Sequence, residues 1–473
     1  MNVLFVYSIF KLGRRGKMLH AFDLIQLGIS YLSSYLIKNG HRTELVVLNR
    51  MTGKKNERLL SEAIRRFNPR VVAFTAVSTE YEFVCGMAAF IRKNFPEIFL
   101  IIGGAHVSLN PDGALGHFDA LCIGEGEEPL LELIKQLEAG AEPSGIRNLW
   151  IRRGTEIEKN PTRPFRQNLD ELAFPDRDMW QQWVGEYPVT RYSLLLGRGC
   201  PFECTYCSNH SLKRLATGTY TRHRSVDNII EEISGMARRH PSLREFYLEV
   251  ETIAVHMDWA LELCQKLSDL NISLPHPLSY GTNIRITPAQ DMAPLFRAFR
   301  QANFRFVNIG LESGSSRVRS GLLGRNYDNE DVIRTVALAR EHGLKVAFFN
   351  LMGIPGETPE DFRQTVDLNR RCQPDWTWNS IFYPYPGTKL HALCLDKNLI
   401  RNDSTPDMER RISVLNLPGF PKDKIERGYV WFEYMVYKGH RPLHSLLAGA
   451  LRKQLGMYVF AARSFLSRKY HCL

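Results

Sequence analysis

This chain predicts an α/β fold in two successive parts: an N-terminal doubly wound parallel sheet, then six strand–helix units, with a small helical segment at the C-terminus. Three observations carry that reading. The first 140 residues alternate short apolar strands with helical patterns, the alternation restarts at Ser193, and a proline-punctuated stretch lies between. Strands that are apolar throughout suit a parallel sheet, where helices cover both faces.

In the first part the pattern predicts strands at Val3–Tyr7, Thr43–Leu48, Val71–Thr75, Phe99–Ile102 and Ala120–Ile123. Helices are expected over Asp23–Asn39, with Gly40 as its C-cap, and over Arg58–Phe67, Tyr81–Asn94 and Glu128–Glu138. Residues 141–188 change character. Pro143, Pro161, Pro164, Pro175 and Pro188 surround a hairpin, Leu149–Ile157 turning at Arg153-Gly154, and the stretch reads as a linker. From 189 to 400, strands are expected near Ser193–Leu196, Phe246–Val250, Ser279–Asn283, Phe306–Leu311, Ala347–Met352 and Ser380–Tyr383. Ser225, and Thr358 with Pro359, supply the start signals of two of the intervening helices.

At 473 residues with 44% hydrophobic and 23% charged residues, the chain has ordinary globular composition and the length for two or three domains. Its net charge of +11 is uneven. Trp431–Leu473 holds seven Lys/Arg (Lys438, Arg441, Arg452, Lys453, Arg463, Arg468, Lys469) against Glu433 alone, and Leu447, Leu451, Leu455, Val459, Ala462 and Leu466 recur there at helical spacing. Two readings stay open for residues 401–473: a basic amphipathic helix in peripheral contact with an anionic membrane or an acidic partner, or a helix packed on the preceding domain with a solvated basic face. Arg452 and Lys453 interrupt the best apolar run, so a membrane span is not expected.

Six of the nine cysteines (Cys85, Cys122, Cys264, Cys372, Cys394, Cys472) are scattered singly, which suits buried thiols better than a disulfide framework. The other three stand together in Gly197-Arg-Gly-Cys-Pro-Phe-Glu-Cys-Thr-Tyr-Cys-Ser208, directly after an apolar strand. Three thiolates on one short loop can hold three corners of a four-iron four-sulfur cluster and leave one iron open. The competing zinc reading requires a paired Cys-x2-Cys or His-x3-5-His, and His210 lies too close to Cys207 to complete one. A labile cluster and an N-terminus without a basic leader predict a cytoplasmic location.

The Cys200-x3-Cys204-x2-Cys207 spacing resembles that of the radical S-adenosylmethionine (radical SAM) superfamily. The resemblance implies a partial (β/α)6 barrel at 189–400 and a [4Fe–4S] cluster on Cys200, Cys204 and Cys207. It further implies that S-adenosylmethionine binds the open iron, with Tyr206 near the adenine. Other stretches fit the same family. Glu249-Val-Glu251-Thr-Ile253 stands where relatives carry two acids, with Val250 replacing the first, so Glu251 is the acid expected to meet the ammonium of the methionine moiety. Arg285 in Thr282-Asn-Ile-Arg285 and Glu312 in Gly310-Leu-Glu-Ser-Gly-Ser315 are further S-adenosylmethionine candidates, with barrel-rim ion pairing as the alternative for both. Tyr220-Thr-Arg222-His-Arg224 precedes the first barrel helix, and its arginines suit either acidic ligand groups or surface ion pairs. Gly353-Ile-Pro-Gly-Glu-Thr358 and Tyr383-Pro-Tyr-Pro-Gly-Thr388 match family turns.

Residues 1–140 are similar to the cobalamin-binding domain found before many such barrels. Gly103-Gly104-Ala-His106 and Gly124-Glu125-Gly126-Glu127 carry that likeness, with Gly103, Gly104, Gly124, Glu125, Gly126 and Glu127 as the implied cobalamin contacts. The Asp-x-His-x-x-Gly sequence that puts an imidazole on cobalt in other cobalamin proteins does not occur, so His106 is not expected on cobalt.

The resemblance implies a cobalamin-dependent enzyme that cleaves S-adenosylmethionine to a 5′-deoxyadenosyl radical and methylates an unactivated carbon or a phosphinate phosphorus. It also implies a flavodoxin- or ferredoxin-type reductant and a small-molecule or lipid substrate. Two alternatives stand beside it: a cyclase or rearrangement enzyme without methyl transfer, and a non-enzymatic cobalamin sensor. A nucleic-acid substrate is not expected, because a transfer-RNA methylthiotransferase would need a second three-cysteine set and only Cys85 and Cys122 precede residue 200.

Overall fold

A computed structural model of the chain describes residues 1–10, 17–288, 290–401 and 410–468, with the side chains of the last helix described as far as Val459. Ala462, Arg463, Leu466, Arg468, Lys469 and Cys472, which figured in the sequence argument, lie outside the described side chains. The chain divides into two compact units: Met1–Ser193 with Ser208–Arg224, and Leu194–Cys207 with Ser225–Leu473.

The first unit is built on seven strands: β1 (Asn2–Ile9), β2 (Arg42–Asn49), β3 (Val71–Thr75), β4 (Phe99–Gly103), β5 (Ala120–Cys122), β6 (Leu149–Arg153) and β7 (Glu156–Lys159), in the order β2-β1-β3-β4-β5-β6-β7. β1 to β5 run parallel. Because β1 lies between β2 and β3, strand order reverses beside it, and the carboxyl ends of β1 and β3 form the switch point where doubly wound sheets take ligands. Val46, Val72, Phe74, Leu100 and Ile102 pack there against Leu60, Ile64, Ala88 and Ile91 of the covering helices. The hairpin read as part of a linker belongs to this sheet instead. β6 pairs antiparallel with β5 and β7 with β6, and prolines at 143 and 161 bracket an edge extension because proline is tolerated beside an edge strand. A short helix, Ala105–Leu109, was not expected from periodicity.

In the second unit, β8 (Arg191–Leu195), β9 (Glu245–Glu249), β10 (Ser279–Ile284), β11 (Phe304–Glu312), β12 (Lys345–Met352) and β13 (Trp376–Ile381) form one six-stranded sheet in sequential order, parallel from β9 to β13. The helices start where their caps stand. Ser225 accepts from the Asn228 amide ahead of Val226–Arg239, and Asp328/Asp331 and Thr358/Asp361 close capping boxes on Asn329–Glu341 and Pro359–Cys372. The C-terminal helix Lys422–Tyr437 is not a separate module. Ile425, Phe432 and Val436 bury themselves against Ile354, Ile381 and Phe362, each contributing about 1.5–3 kcal/mol of apolar burial. Among the described residues, no helix is long and apolar enough to cross a membrane.

Candidate functional site

The cysteine loop leaves β8 through Leu196, whose amide donates to the Glu249 carbonyl of β9, and turns at Gly199, which sits at φ +87. Its far side is clamped by backbone. The Thr205 amide and hydroxyl donate to the carbonyls of Leu323 and Leu322 (3.2 and 2.5 Å), and the Leu390 amide donates to the Thr205 carbonyl. The three thiols are therefore held from the elements following β8, β11 and β13.

They open on a cavity of about 410 Å³. Cys200, Cys204 and Cys207 line it together with Tyr206, Glu251, Arg285 and Glu312, so the seven residues singled out for the cluster and S-adenosylmethionine face one space. All three cysteines are free thiols. Burial, with Glu251 and the other two thiols adding to it, pushes the Cys200 thiol up to about 11 despite the Phe202 amide. Loading iron here would thus release protons. Among the described residues no group of three or more His, Cys, Asp or Glu side chains is placed to hold a single metal ion. A cubane places no such demand, since its cysteines ligate different irons and stand farther apart than ligands of one ion. Three cysteines converging on one cavity from a single loop, without a fourth, fit such a cluster.

Arg285 lies 3.9 Å over the Phe202 ring and donates to the Cys204 sulfur at 2.9 Å. Its place is beside the thiol loop and not in a rim ion pair. Glu312 sits at φ +61, a left-handed conformation uncommon for a residue with a Cβ, and its carboxylate lies 3.4 Å from the Arg325 guanidinium. Burial raises the Glu312 carboxyl, with Arg325, Tyr206 and Arg285 opposing that rise. Glu251 is exposed at the cavity wall, whereas Glu249 ends β9 and its carbonyl serves the Leu196 amide.

Several cavity residues escaped the sequence reading. Arg325, buried to 5% exposure, donates to the Tyr206 hydroxyl (2.9 Å), to the Gly310 carbonyl (2.6 Å) and towards Glu312. Asn283 and Asn308 form a polar row on β10 and β11: the Asn283 amide donates to the Val250 carbonyl, which fixes its oxygen as the acceptor for Tyr247 and Asn308. Asn308 interrupts the apolar run from Phe306 to Leu311, which is the local signal that could have found it. Trp378, also missed, completes an aromatic wall with Tyr383 and Tyr385 of the turn that the sequence matches to the family. The turn at 383–388 thus lines the cavity, and Thr388 also caps the following helix. The turn at 353–358 is structural: Glu357 accepts from the amides of Gly353 and Ile354, and burial pushes its carboxyl up to about 8.

In the first unit Gly103 ends β4, Gly104 follows it at the start of helix Ala105–Leu109, and Gly124 follows β5. Gly104 has φ +101, and a Cβ there would meet the Ala76 carbonyl oxygen and the Thr75 hydroxyl at 2.8 Å, so only glycine lets the β4 loop close on the end of β3. His106 is packed, its ring 4.2 Å from Tyr81 and its Nδ1 3.1 Å from the Ser78 hydroxyl, and burial lowers its pKa. The expected cobalamin contact Glu125 has an internal role. Its carboxylate accepts from the Arg166 amide (3.0 Å) and from the buried Arg222 guanidinium (2.9 Å), so Arg222 makes no surface ion pair. Arg224 is buried too, over the Phe174 ring. Gly126 packs against Leu32, and Glu127 is buried at the start of helix Glu127–Glu138. Gly103, Gly104 and Gly124 stand at the carboxyl ends of the adjacent parallel strands β4 and β5, the edge where a doubly wound sheet takes its ligand, and on that count the residues present fit cobalamin.

Residues 194–368 match the radical SAM superfamily and residues 20–134 match the B12 binding domain. The chain thus carries a B12-binding domain followed by a radical SAM domain. It is 25% identical to an uncharacterized methyltransferase of Pyrococcus horikoshii over 85% of both chains. It is 24% identical to the anaerobic magnesium-protoporphyrin IX monomethyl ester cyclase of Rubrivivax gelatinosus over 78% of this chain and 66% of the cyclase. The radical SAM methyltransferase TsrM of Kitasatospora setae, solved with cobalamin and a [4Fe–4S] cluster, has the same fold, with a TM-score of 0.69, 18% identity and coverage of 93% of this chain and 89% of TsrM.

Proposed function

We propose that this enzyme methylates an unactivated carbon of its substrate. The observation that carries the reading is the convergence of Cys200, Cys204 and Cys207 with Tyr206, Glu251, Arg285 and Glu312 on one cavity, in a chain that also carries a B12-binding domain. A cluster held by Cys200, Cys204 and Cys207 would supply the reductive cleavage of S-adenosylmethionine, and cobalamin would supply the methyl-transfer chemistry for a carbon that has no lone pair with which to attack a sulfonium.

The protein's share is positioning. Cys200, Cys204 and Cys207 hold the cluster, and Arg285 places a positive charge beside the Cys204 sulfur. Glu251 offers an exposed carboxylate to the ammonium of the methionine moiety, a charge-assisted contact that sets the sulfonium's place. Tyr206, held by Arg325, presents its ring to the adenine, and Glu312 stands at the same wall. Gly103, Gly104 and Gly124 bear the cobalamin face, with Glu125 bracing the loop from behind. Domain limits follow these roles: 1–140 for cobalamin with the 141–188 hairpin segment appended, 189–400 for the radical chemistry, and 401–473 as a C-terminal helical segment. A flavodoxin- or ferredoxin-type reductant in the cytoplasm supplies the electron.

The test is anaerobic reconstitution with iron, sulfide and cobalamin, followed by turnover with S-adenosylmethionine labelled in its methyl group. Label in the product together with 5′-deoxyadenosine supports carbon methylation. 5′-Deoxyadenosine without label in the product establishes the cyclase-like reading that the Rubrivivax gelatinosus similarity favours. Cobalamin uptake with neither cluster nor 5′-deoxyadenosine would leave a sensor.

A further inference from the structure

The last helix, Leu443–Arg468, is anchored through its first two turns. Leu446 and Ala450 are buried, Leu446 in the core that holds Phe432 and Val436 of the preceding helix, but from Leu451 to Val459 no residue is buried. Among the residues whose side chains are described, the expectation of a helix packed on the preceding domain is met in the first two turns. Beyond them four apolar residues are exposed: Leu451 57%, Leu455 62%, Tyr458 64% and Val459 46%. At i, i+4, i+7 and i+8 these four share one face of the helix, and Leu443 is exposed at the helix start.

Charge identifies what covers that face. Trp431–Leu473 has seven Lys/Arg and a single acid, Glu433, which is already paired with Lys453 at 2.8 Å. Arg452, exposed, flanks the apolar stripe one residue from Leu451. A second copy of the chain would bring the same positive surplus to the same face and be repelled. A stripe of Leu and Val with a Tyr, whose hydroxyl end tolerates water, bordered by cations, is the composition of a helix lying in the headgroup region of an anionic bilayer. Since no described helix is apolar enough to span one, the in-plane orientation is the one available.

We propose that Leu451, Leu455, Tyr458 and Val459 dock the enzyme reversibly on an anionic lipid surface, with Arg452 meeting the lipid phosphates. This does not depend on which reaction the barrel catalyses.

The test is co-sedimentation of the full chain with vesicles of phosphatidylcholine alone and of equal parts phosphatidylcholine and phosphatidylglycerol. Wild type should sediment with the phosphatidylglycerol vesicles roughly tenfold more than with phosphatidylcholine alone, and less as salt is raised. The double variant L451D/L455D should lose that binding while keeping its circular dichroism and thermal midpoint, because both positions are exposed. I272D, which places the same charge on an exposed apolar residue outside the stripe, should bind as wild type does. No sedimentation with phosphatidylglycerol vesicles overturns the proposal, as does equal binding of L451D/L455D and wild type. A concentration-dependent doubling of mass without vesicle binding overturns it in favour of self-association.

Discussion

The guanidinium of Arg325 donates to the hydroxyl of Tyr206 at 2.9 Å, joining the cysteine loop to the segment that follows β11. The same guanidinium lies 3.4 Å from Glu312, and both partners of that ion pair are nearly out of water. Deleting one member of a buried pair leaves an uncompensated charge, whereas deleting both does not. R325M should therefore destabilise the apo protein by about 3–5 kcal/mol in urea unfolding, and R325M/E312Q should recover part of that loss. An R325M variant indistinguishable from wild type would mean that the pair carries no structural weight.

The cluster assignment makes a sharper prediction. After anaerobic reconstitution, C204A should lose the broad sulfur-to-iron absorption and most of its iron, with its secondary structure intact. C264A removes a thiol of similar burial in helix Met257–Ser273, away from the cavity, and should retain both. Equal iron and equal spectra in the two variants would dismiss the loop as the cluster site.

Much of this architecture was legible because its strands are apolar throughout. β3 and helix Tyr81–Asn94 fall where periodicity places them, and the cysteine spacing marks the loop whatever its surroundings. Where barrel strands carry polar residues, the signal fails. β13 was expected at Ser380–Tyr383 but runs Trp376–Ile381, because Thr377 and Asn379 break the apolar run and Asn379 accepts from Asn350 of β12. Glu125 is implied as a ligand by the likeness of Gly124-Glu125-Gly126-Glu127 to cobalamin-binding domains, yet its partners, Arg222 and the Arg166 amide, are distant in sequence and leave no local trace. Arg325 escapes for the same reason, since a lone arginine after Gly324 looks like surface until the fold buries it.

Gly104 and Gly113 separate backbone strain from steric overlap. Both have positive φ, +101 and +80, but a Cβ at Gly113 meets nothing within 4 Å, while one at Gly104 meets the Ala76 carbonyl at 2.8 Å. G113A should cost about 1 kcal/mol from φ alone. G104A should cost roughly 2–4 kcal/mol and weaken cobalamin retention on gel filtration, because the β4 loop must shift. Equal midpoints for the two variants in thermal unfolding would refute the close approach of the β4 loop to β3.

Asp361 supplies a pH test of the second unit. Burial raises its carboxyl, but Arg317, the Ser315 hydroxyl and both donors of Thr358 outweigh that and bring it down to about 2. The folded value lies below the unfolded value of 3.8, so the stabilisation is complete above about pH 4 and is lost as pH falls through about 2. Arg317 is half-exposed, and solvent screening brings the contribution down to roughly 1–2 kcal/mol. Other carboxylates titrate in the same window, so the informative quantity is the difference between wild type and D361N. That difference should be largest at neutral pH and shrink by roughly 1–2 kcal/mol between pH 4 and pH 2 in urea unfolding followed by circular dichroism. A gap that stays constant through this window would mean that the charge on Asp361 adds no stability, and would remove the Arg317 ion pair from the account.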